Sequence, residues 1–369
     1  MAIWADCSTI CGGTPPRCCR TCDPTALMQW AILLAGGSGT RFWPLSSPTR
    51  PKQLLPLAGP RSSVEEAVDR LAGFIPPDRI LVVSGAELAA RLAERLALPA
   101  ANFLVEPRAA STGPALVWAT IEAQRRDPDA TVISMHADWI VSDPGAFVVT
   151  AAIALETAER HQRLVTVGIV PSRPETGFGY IVPGARLDSA ARAVGRFVEK
   201  PDAARALDLM AEGALWNSGL FAWRAADLRR EVEHHTAEIG PYLGQLDRGD
   251  HVGFFHDVRD VSIDVGVFER SAAVAVVAGD FAWDDIGTWE ALARVRPRDR
   301  RGNVTHGAVT LVDCTDCIVW NDGPPMVLSG VRDLVVVHAN QRTLVLDRSR
   351  APDLKRTLDA LPPSVRELD

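Results

Sequence analysis

The sequence predicts an α/β protein, a mixed and mostly parallel sheet with helices on both faces, followed by a small β-rich domain. Three observations carry that prediction. Short apolar runs bounded by turn residues recur at Trp30–Ala35, Arg79–Val83, Asn102–Val105, Thr131–Met135 and Leu164–Ile169, which is how strands buried on both faces read. Helical patterns of about 10 to 15 residues lie between them, the spacing of βαβ units. From Asn303 to Asp347 the texture changes to brief β segments broken by Asp, Gly and Pro, with a helical period returning only near Pro352.

The first strand, Trp30–Ala35, stops at a glycine pair, and Gly36, Gly37 and Gly39 then bracket Ser38. Glycine suits a turn that needs positive φ and lets backbone N–H groups approach phosphate oxygens closely. Two familiar phosphate loops are excluded. The chain continues Thr40-Arg41-Phe42, without the third glycine of the dinucleotide fingerprint, and no Gly-Lys-Ser/Thr follows. Pro44, Pro48 and Pro51 oppose a helix starting at the glycines, so loop amides and the cations Arg41 and Lys52 are expected to hold phosphates.

The string from Trp30 to Gln53 resembles the signature of the sugar nucleotidyltransferases, and Phe42-Trp43-Pro44-Leu45-Ser46 resembles the bacterial mannose-1-phosphate guanylyltransferases. The resemblance implies a Rossmann-like nucleotide-diphospho-sugar transferase fold. It implies that Leu34, Ala35, Gly36, Gly37, Gly39 and Thr40 wrap a nucleoside triphosphate, with Arg41 on the departing pyrophosphate and Lys52 on the phosphates.

Along the chain, Ser62 and Glu65 read as a capping box opening a helix to about Ala72. Pro76-Pro77-Asp78 turns into the next strand, and helices are expected at about Ala86–Leu96 and Gly113–Arg126. Ligands in such sheets bind beyond the carboxyl ends of the strands, which is where His136-Ala137-Asp138-Trp139 falls. A carboxylate there is a candidate Mg2+ ligand, since that ion takes one or two carboxylates plus substrate phosphates; a helix N-cap is the competing reading of Asp138. His136 reads as a hydrogen bonder behind it. The family carries Pro-x-Asp-His at this place, which favours metal, although the flanks differ here. The family segment Glu-Pro-x-x-Arg-Asn-Thr-Ala-Pro-Ala touches the base, which implies nucleotide contacts for Glu106, Thr112 and Pro114; Ala110 and Ser111 depart from it and leave base specificity open.

Helix Gly145–Arg160 and strand Leu164–Ile169 continue the alternation. The loop from Pro171 into Tyr180 resembles the family's sugar-contacting segment and implies sugar roles for Thr176, Gly177 and Tyr180. Val194–Glu199 reads as a strand and Pro201 as the opening of a helix to about Ala211. Neighbours in a strand face opposite ways, so Glu199 and Lys200 are not expected to pair. The resemblance gives Glu199 and Asn217 sugar hydroxyls and Lys200 the sugar phosphate. Trp216, Phe221 and Trp223 read as core, and Asp264, in Ser262-Ile263-Asp264, as a capping or structural residue. Trp283-Asp284-Asp285-Ile286-Gly287 aligns Asp285, rather than Asp284, with a second metal ligand.

The chain has 39 Lys+Arg against 46 Asp+Glu, no basic excess to suggest nucleic acid. No apolar run approaches the ~20 residues of a membrane span, so a cytoplasmic protein is expected. Five of the seven cysteines lie in the first 22 residues without a repeated C-x-x-C pair; residues 1–28 read as a disordered extension with Met28 as the functional start. Residues 29–297 are expected to form the transferase domain and 298–369 a small β domain with a C-terminal helix. The family carries a short left-handed β-helix there, often used in packing subunits, which allows a homodimer. Cys314 and Cys317 read as buried strand cysteines. The reaction implied is attack by mannose 1-phosphate on the α-phosphate of GTP; a glycosyltransferase of similar fold and a non-catalytic sugar-nucleotide sensor are the alternatives.

Overall fold

The computed structural model describes residues 29–37, 40–47, 50–57 and 59–366. The reading of residues 1–28, and of Gly39 as a phosphate ligand, falls outside them. In chain order the strands of the main sheet and its small neighbour are β1 (Gln29–Leu34), β2 (Ile80–Gly85), β3 (Phe103–Glu106), β4 (Thr131–His136), β5 (Ile140–Val141), β6 (Leu164–Ile169), β7 (Tyr180–Arg186), β8 (Ala191–Val198), β9 (Leu215–Arg224), β10 (Val274–Gly279) and β11 (Trp283–Asp284). The nine-stranded sheet runs β3-β2-β1-β4-β9-β6-β10-β8-β7. Parallel pairs join β1 to β2 and β4, β2 to β3, and β6 to β10, while β9 and β8 are antiparallel to their neighbours. The sheet is therefore mixed, as the sequence predicts, but four parallel pairings stand against five antiparallel ones, so the expected predominance of parallel pairs is not met: β9 and the β7–β8 pair enter it antiparallel.

The reason β1 reads as an unbroken apolar run is visible in its packing. Trp30, Ile32 and Leu34 enter one core with α3 (Thr112–Arg126) and α6 (Ala225–His235), and Ala31, Leu33 and Ala35 enter the other with α1 (Ser63–Ala72), α2 (Ala86–Arg95) and α4 (Pro144–His161). Side chains alternate between faces with period two, and here both faces are covered. The capping box that starts α1 is present: the Ser62 side chain accepts from the third helical N–H and the Glu65 carboxylate accepts from Ser62 N–H. Helix α5 (Ala203–Ala211) begins two residues later than Pro201, because Asp202 is its N-cap and accepts from Arg205 N–H.

The β-rich tail consists of β12 (Val304–His306), β13 (Val309–Val312), β14 (Ile318–Asn321), β15 (Met326–Ser329), β16 (Leu334–Ala339) and β17 (Arg342–Asp347). Parallel pairs stack β12, β14 and β16 on one side and β13 and β15 on another, the pattern of successive coils. Cys314 and Cys317 are free and buried inside those coils, in the turns between strands rather than within them. A third apolar cluster ties this tail to the segment after the glycine loop: Phe42, Trp43 and Leu45 pack with Trp289, Trp320, Val335 and Leu354.

One junction bears directly on the ligand face. At the start of α3, Gly113 N–H donates to the Val261 carbonyl (3.0 Å) and Ile263 N–H donates to the Thr112 hydroxyl (3.0 Å). A Cβ on Gly113 would lie 2.5 Å from that carbonyl, so glycine is required by close approach. Thr112→Val keeps the shape but strands the Ile263 N–H, at a cost of about 1–3 kcal/mol. Urea unfolding should show a lower midpoint with an unchanged slope.

Candidate active site

A cleft of about 440 Å³ opens at the carboxyl ends of the parallel strands, lined by residues that are far apart in sequence: Gly36 and Gly37, Arg41, Lys52, Asp138, Glu199, Asn217, Asp264 and Asp285 among them. A smaller cavity of about 250 Å³ adjoins it, formed by Leu34, Glu106, Ala110, Ser111 and Thr112. Gly36, Gly37 and His136 border both. Triphosphate-sized ligands can therefore lie across the glycine loop with one end in each cavity.

The two candidate metal carboxylates are brought together by a small ribbon. β5 follows Asp138 by two residues, β11 precedes Asp285 by one, and the two strands pair antiparallel, with Trp283 opposite Val141 and Asp284 opposite Ile140. Asp138 stands in the turn after β4 and caps no helix; Asp143 caps α4 instead. Lys52 closes the arrangement. Its ammonium, only 6 % exposed, donates to Asp138 Oδ2 and to the Asp285 carbonyl, both at 2.9 Å. The two oxygens it bridges thus lie within twice that distance.

Asp284 and Asp285, adjacent in sequence, have separate environments. Asp284 accepts two bonds from Arg294 (2.9 and 3.1 Å) and one from Ile286 N–H (3.0 Å), which turns it away from the cleft. Asp285 faces the cleft, and burial pushes its carboxyl up to about 6 against the pull of Lys52, with Asp284 and Asp138 adding to the rise. Burial also opposes ionisation of Asp138, yet Lys52 and then His136 hold it below the ordinary range. Burial lowers His136, whose ring lies 5.7 Å from that of Trp139. No hydrogen bond reaches that ring among the described residues, so its reading as a hydrogen bonder is not met.

Arg41 lies on a single helical turn, Thr40–Phe42, immediately after the glycines. It makes no ion pair among the described residues and points into the cleft beside Gly287, where a Cβ would lie 3.1 Å from its Nη1. Gln53, buried, donates to the Gly36 carbonyl and fastens the loop. Ala35 N–H is taken by the Val83 carbonyl, so this residue belongs to the sheet edge.

Several expectations are corrected by the geometry. Glu199 and Lys200 do pair, Nζ to Oε1 at 2.7 Å. The strand ends at Val198 and Lys200 has φ +47°, so the alternation that would separate them no longer applies. Lys200 is at the rim, its side chain 63 % exposed, while Glu199 lines the cleft. Tyr180 is fully buried against Trp216 and Leu209 and has no face on the cleft; Gly177, Phe178 and Gly179 form that wall, and Thr176 stands outside it. Pro114 is buried in α3 behind the smaller cavity, and the Thr112 hydroxyl is spent on Ile263 N–H. Asp264, read as capping or structural, lines the cleft. Its signal in the sequence is an acid near the start of a helical pattern, which also fits a cap.

A lysine that joins the Asp138 carboxylate to the Asp285 backbone carbonyl, with the Asp285 carboxylate in the same cleft, an arginine without an ion pair among the described residues and a glycine loop, defines an enzyme site for phosphorylated nucleotides. Among the described residues no three His, Cys, Asp or Glu side chains make a ready metal cage, but Asp138 and Asp285 fit a divalent ion that completes its shell with phosphates. A nucleotidyl transferase family profile matches residues 30–302, and the chain belongs to that family. It is 34 % identical to a mannose-1-phosphate guanylyltransferase of Klebsiella pneumoniae over 90 % of this chain and 74 % of that one. It is also 34 % identical to an alginate biosynthesis protein of Pseudomonas aeruginosa, over 89 % of this chain and 71 % of that one. A Thermus thermophilus structure described as a mannose-1-phosphate geranyltransferase superposes with TM-score 0.83 at 32 % identity, covering 90 % of this chain and 98 % of the other. A UDP-glucose pyrophosphorylase complexed with UDP-glucose shares the fold, at TM-score 0.51 and 14 % identity.

Glu106 has no ion pair among the described residues, and burial pushes its carboxyl up to about 7. An unfolded Glu titrates near 4.3, so the folded chain binds the extra proton and loses stability as pH rises from about 4 to 7. Glu106→Gln should therefore raise the melting temperature of the ligand-free protein at pH 8 and leave it unchanged at pH 4, in thermal scans at matched ionic strength.

Proposed function

We propose that the chain catalyses GTP + α-D-mannose 1-phosphate → GDP-mannose + pyrophosphate by direct in-line nucleotidyl transfer. The observation that carries this reading is the unpaired Arg41 facing the same cleft as Lys52, Asp138 and Asp285. The printed names of the relatives support the choice of mannose 1-phosphate and a guanylyl group. Phosphate oxygens are already ionised at neutral pH, so neither a covalent nucleophile nor a strong base is needed. The difficulty is the meeting of two polyanions.

In this reading Gly36 and Gly37 present backbone amides to the triphosphate, and Arg41 binds the leaving pyrophosphate with its planar fork. Lys52 shifts from its carboxylate partner toward phosphate oxygens. Lys200 leaves Glu199 to meet the sugar phosphate, which frees Glu199 for sugar hydroxyls. Asp138 and Asp285 would hold Mg2+, which when bound neutralises charge on the phosphates. Glu106 offers two carboxylate oxygens to a base. Guanine presents N1–H and its 2-amino group side by side, a pair of donors that adenine lacks, which supports guanine as the base.

The proposal includes a transferase domain at 29–297, a β domain at 298–369 whose coils wind left-handed, and a cytoplasmic setting.

A matrix of four nucleoside triphosphates against several sugar 1-phosphates, assayed for pyrophosphate, tests the reading. Release with GTP and mannose 1-phosphate is expected, with loss on chelation of divalent ions. Release of sugar from a sugar nucleotide would point to a glycosyltransferase instead. Arg41→Ala should lower turnover by about 10² to 10³, the usual effect of removing one preorganised donor. Asp285→Asn should abolish turnover, whereas Asp284→Asn should lower the melting temperature and keep turnover. The reverse pattern would exchange their roles.

A further inference from the structure

Asp264 is a carboxylate whose position no capping role explains. It opens a single π-helical turn, Asp264–Phe268, and lines the main cleft together with Glu199, Asn217 and Phe178. π turns are rare and concentrate at functional sites. This one is held on two sides: Ile263 N–H is fixed on the Thr112 hydroxyl, and a Cβ on Gly266 would lie 3.1 Å from the Val261 side chain. The carboxylate is thus presented to the cleft by a backbone with little freedom.

Its partners are also informative. Asn217 Nδ2 donates to Asp264 Oδ1 at 2.7 Å, while Asn217 Oδ1 accepts from the Thr166 hydroxyl (2.9 Å) and from Gly219 N–H (3.3 Å). The amide is clamped at its oxygen, so its orientation, and with it that of Asp264, is set before any ligand arrives. No ion pair reaches Asp264 among the described residues. Burial, followed by the charge of Glu199, pushes its carboxyl up to about 6, so it is an anion at neutral pH. An ionised carboxylate accepts several hydrogen bonds, and Asn217 is the one side-chain donor to this partly buried group among the described residues, which leaves acceptor capacity for a ligand hydroxyl. Phe178, Trp139 and Trp283 line the same cleft, Trp139 edge-on to Trp283 with centroids 6.0 Å apart and Phe178 tilted against Trp283 with centroids 5.1 Å apart. A cleft lined by both carboxylate acceptors and aromatic rings is complementary to a pyranose, which has hydroxyl donors on its edge and C–H groups on its face.

We propose that Asp264 is a sugar-specificity residue, accepting a hydrogen bond from one ring hydroxyl of the sugar 1-phosphate beside Glu199, with Asn217 positioning it. The claim rests on the transferase reading above only in assuming that the cleft takes a sugar phosphate. It goes beyond that reading in making a second acid, beside Glu199, the reader of a single hydroxyl.

The experiment crosses enzyme and substrate changes. Wild type, Asp264→Asn and Asp264→Ala are assayed for pyrophosphate release with mannose 1-phosphate and with its 2-, 3-, 4- and 6-deoxy analogues. In wild type, loss of one particular hydroxyl should cost about ten- to a hundredfold in kcat/KM, the usual effect of a hydrogen bond to a charged group. In both variants the full sugar should lose a similar factor. Removal of that same hydroxyl should then cost no more than about twofold, while the other positions keep their wild-type ratios. GTP affinity in the absence of sugar, measured by calorimetry, should be unchanged, which also reports correct folding. Variants that still discriminate all four positions as wild type does would overturn the proposal, as would loss of GTP affinity equal to the loss in kcat/KM. If mannose 1-phosphate is not a substrate, the same cross is run with the sugar phosphate that the matrix identifies, so failure of the transferase reading and failure of this assignment give different results.

Discussion

The Lys52 ammonium between Asp138 and the Asp285 carbonyl is the contact on which the site depends. It joins three stretches of chain: the segment after the glycine loop, the end of β4 and the turn after β11. Two unit charges about 4 Å apart at an effective dielectric near 20 interact by about 4 kcal/mol. Much of that is consumed in desolvating a lysine that is only 6 % exposed. What remains is geometric. A lysine with its partners fixed holds the loop, the strand end and the ribbon in one register, so both carboxylates line one cleft.

The same economy couples the two cavities. His136 borders both, and the α3 start that forms the wall of the smaller cavity carries the hydroxyl that fixes Ile263, next to Asp264 in the larger one. Thr112 and Gly113 thus tie the wall of the smaller cavity to the segment before Asp264 through two hydrogen bonds, Ile263 N–H to the Thr112 hydroxyl and Gly113 N–H to the Val261 carbonyl. Thr112, which the sequence suggests touches the nucleotide, lines the smaller cavity and also forms this seam.

Much of this was legible in the sequence, for identifiable reasons. An apolar run between turn residues has few physical readings, so β1, β2, β4 and β6 were found close to their true bounds. The glycine loop with Arg41 and Lys52 was found because no ordinary turn needs that combination. Tertiary context defeated the rest. Tyr180 beside a glycine-rich loop looks like a ligand residue until α5 and Trp216 are seen to bury it. Glu199 and Lys200 obey strand alternation only while the strand lasts, and a positive φ at Lys200 ends it. Asp264 depends on a π turn, Asp264–Phe268, at which Gly266 comes close to Val261 and Thr236, and that arrangement has no local signal in the sequence. The antiparallel insertion of β9 between β4 and β6 depends likewise on long-range pairing.

The charge balance of the cleft gives a final constraint. Its lining carries Asp138, Glu199, Asp264 and Asp285 against Arg41 and Lys52, with Lys200 at the rim. Acids outnumber bases, which is the wrong sign for gathering two phosphorylated substrates by electrostatics alone. Lys52 and Lys200 are, moreover, each already paired with one of those acids. Phosphates must therefore bring positive charge with them, as a nucleoside triphosphate accompanied by its cation does, and each lysine can turn to phosphate only when its carboxylate acquires another partner. In the proposed reaction that partner would be a divalent metal ion for Asp138 and a sugar hydroxyl for Glu199. Substrate binding and the release of the lysines are thus one exchange of partners, which makes the acidic excess a condition for binding both substrates together rather than an obstacle to it.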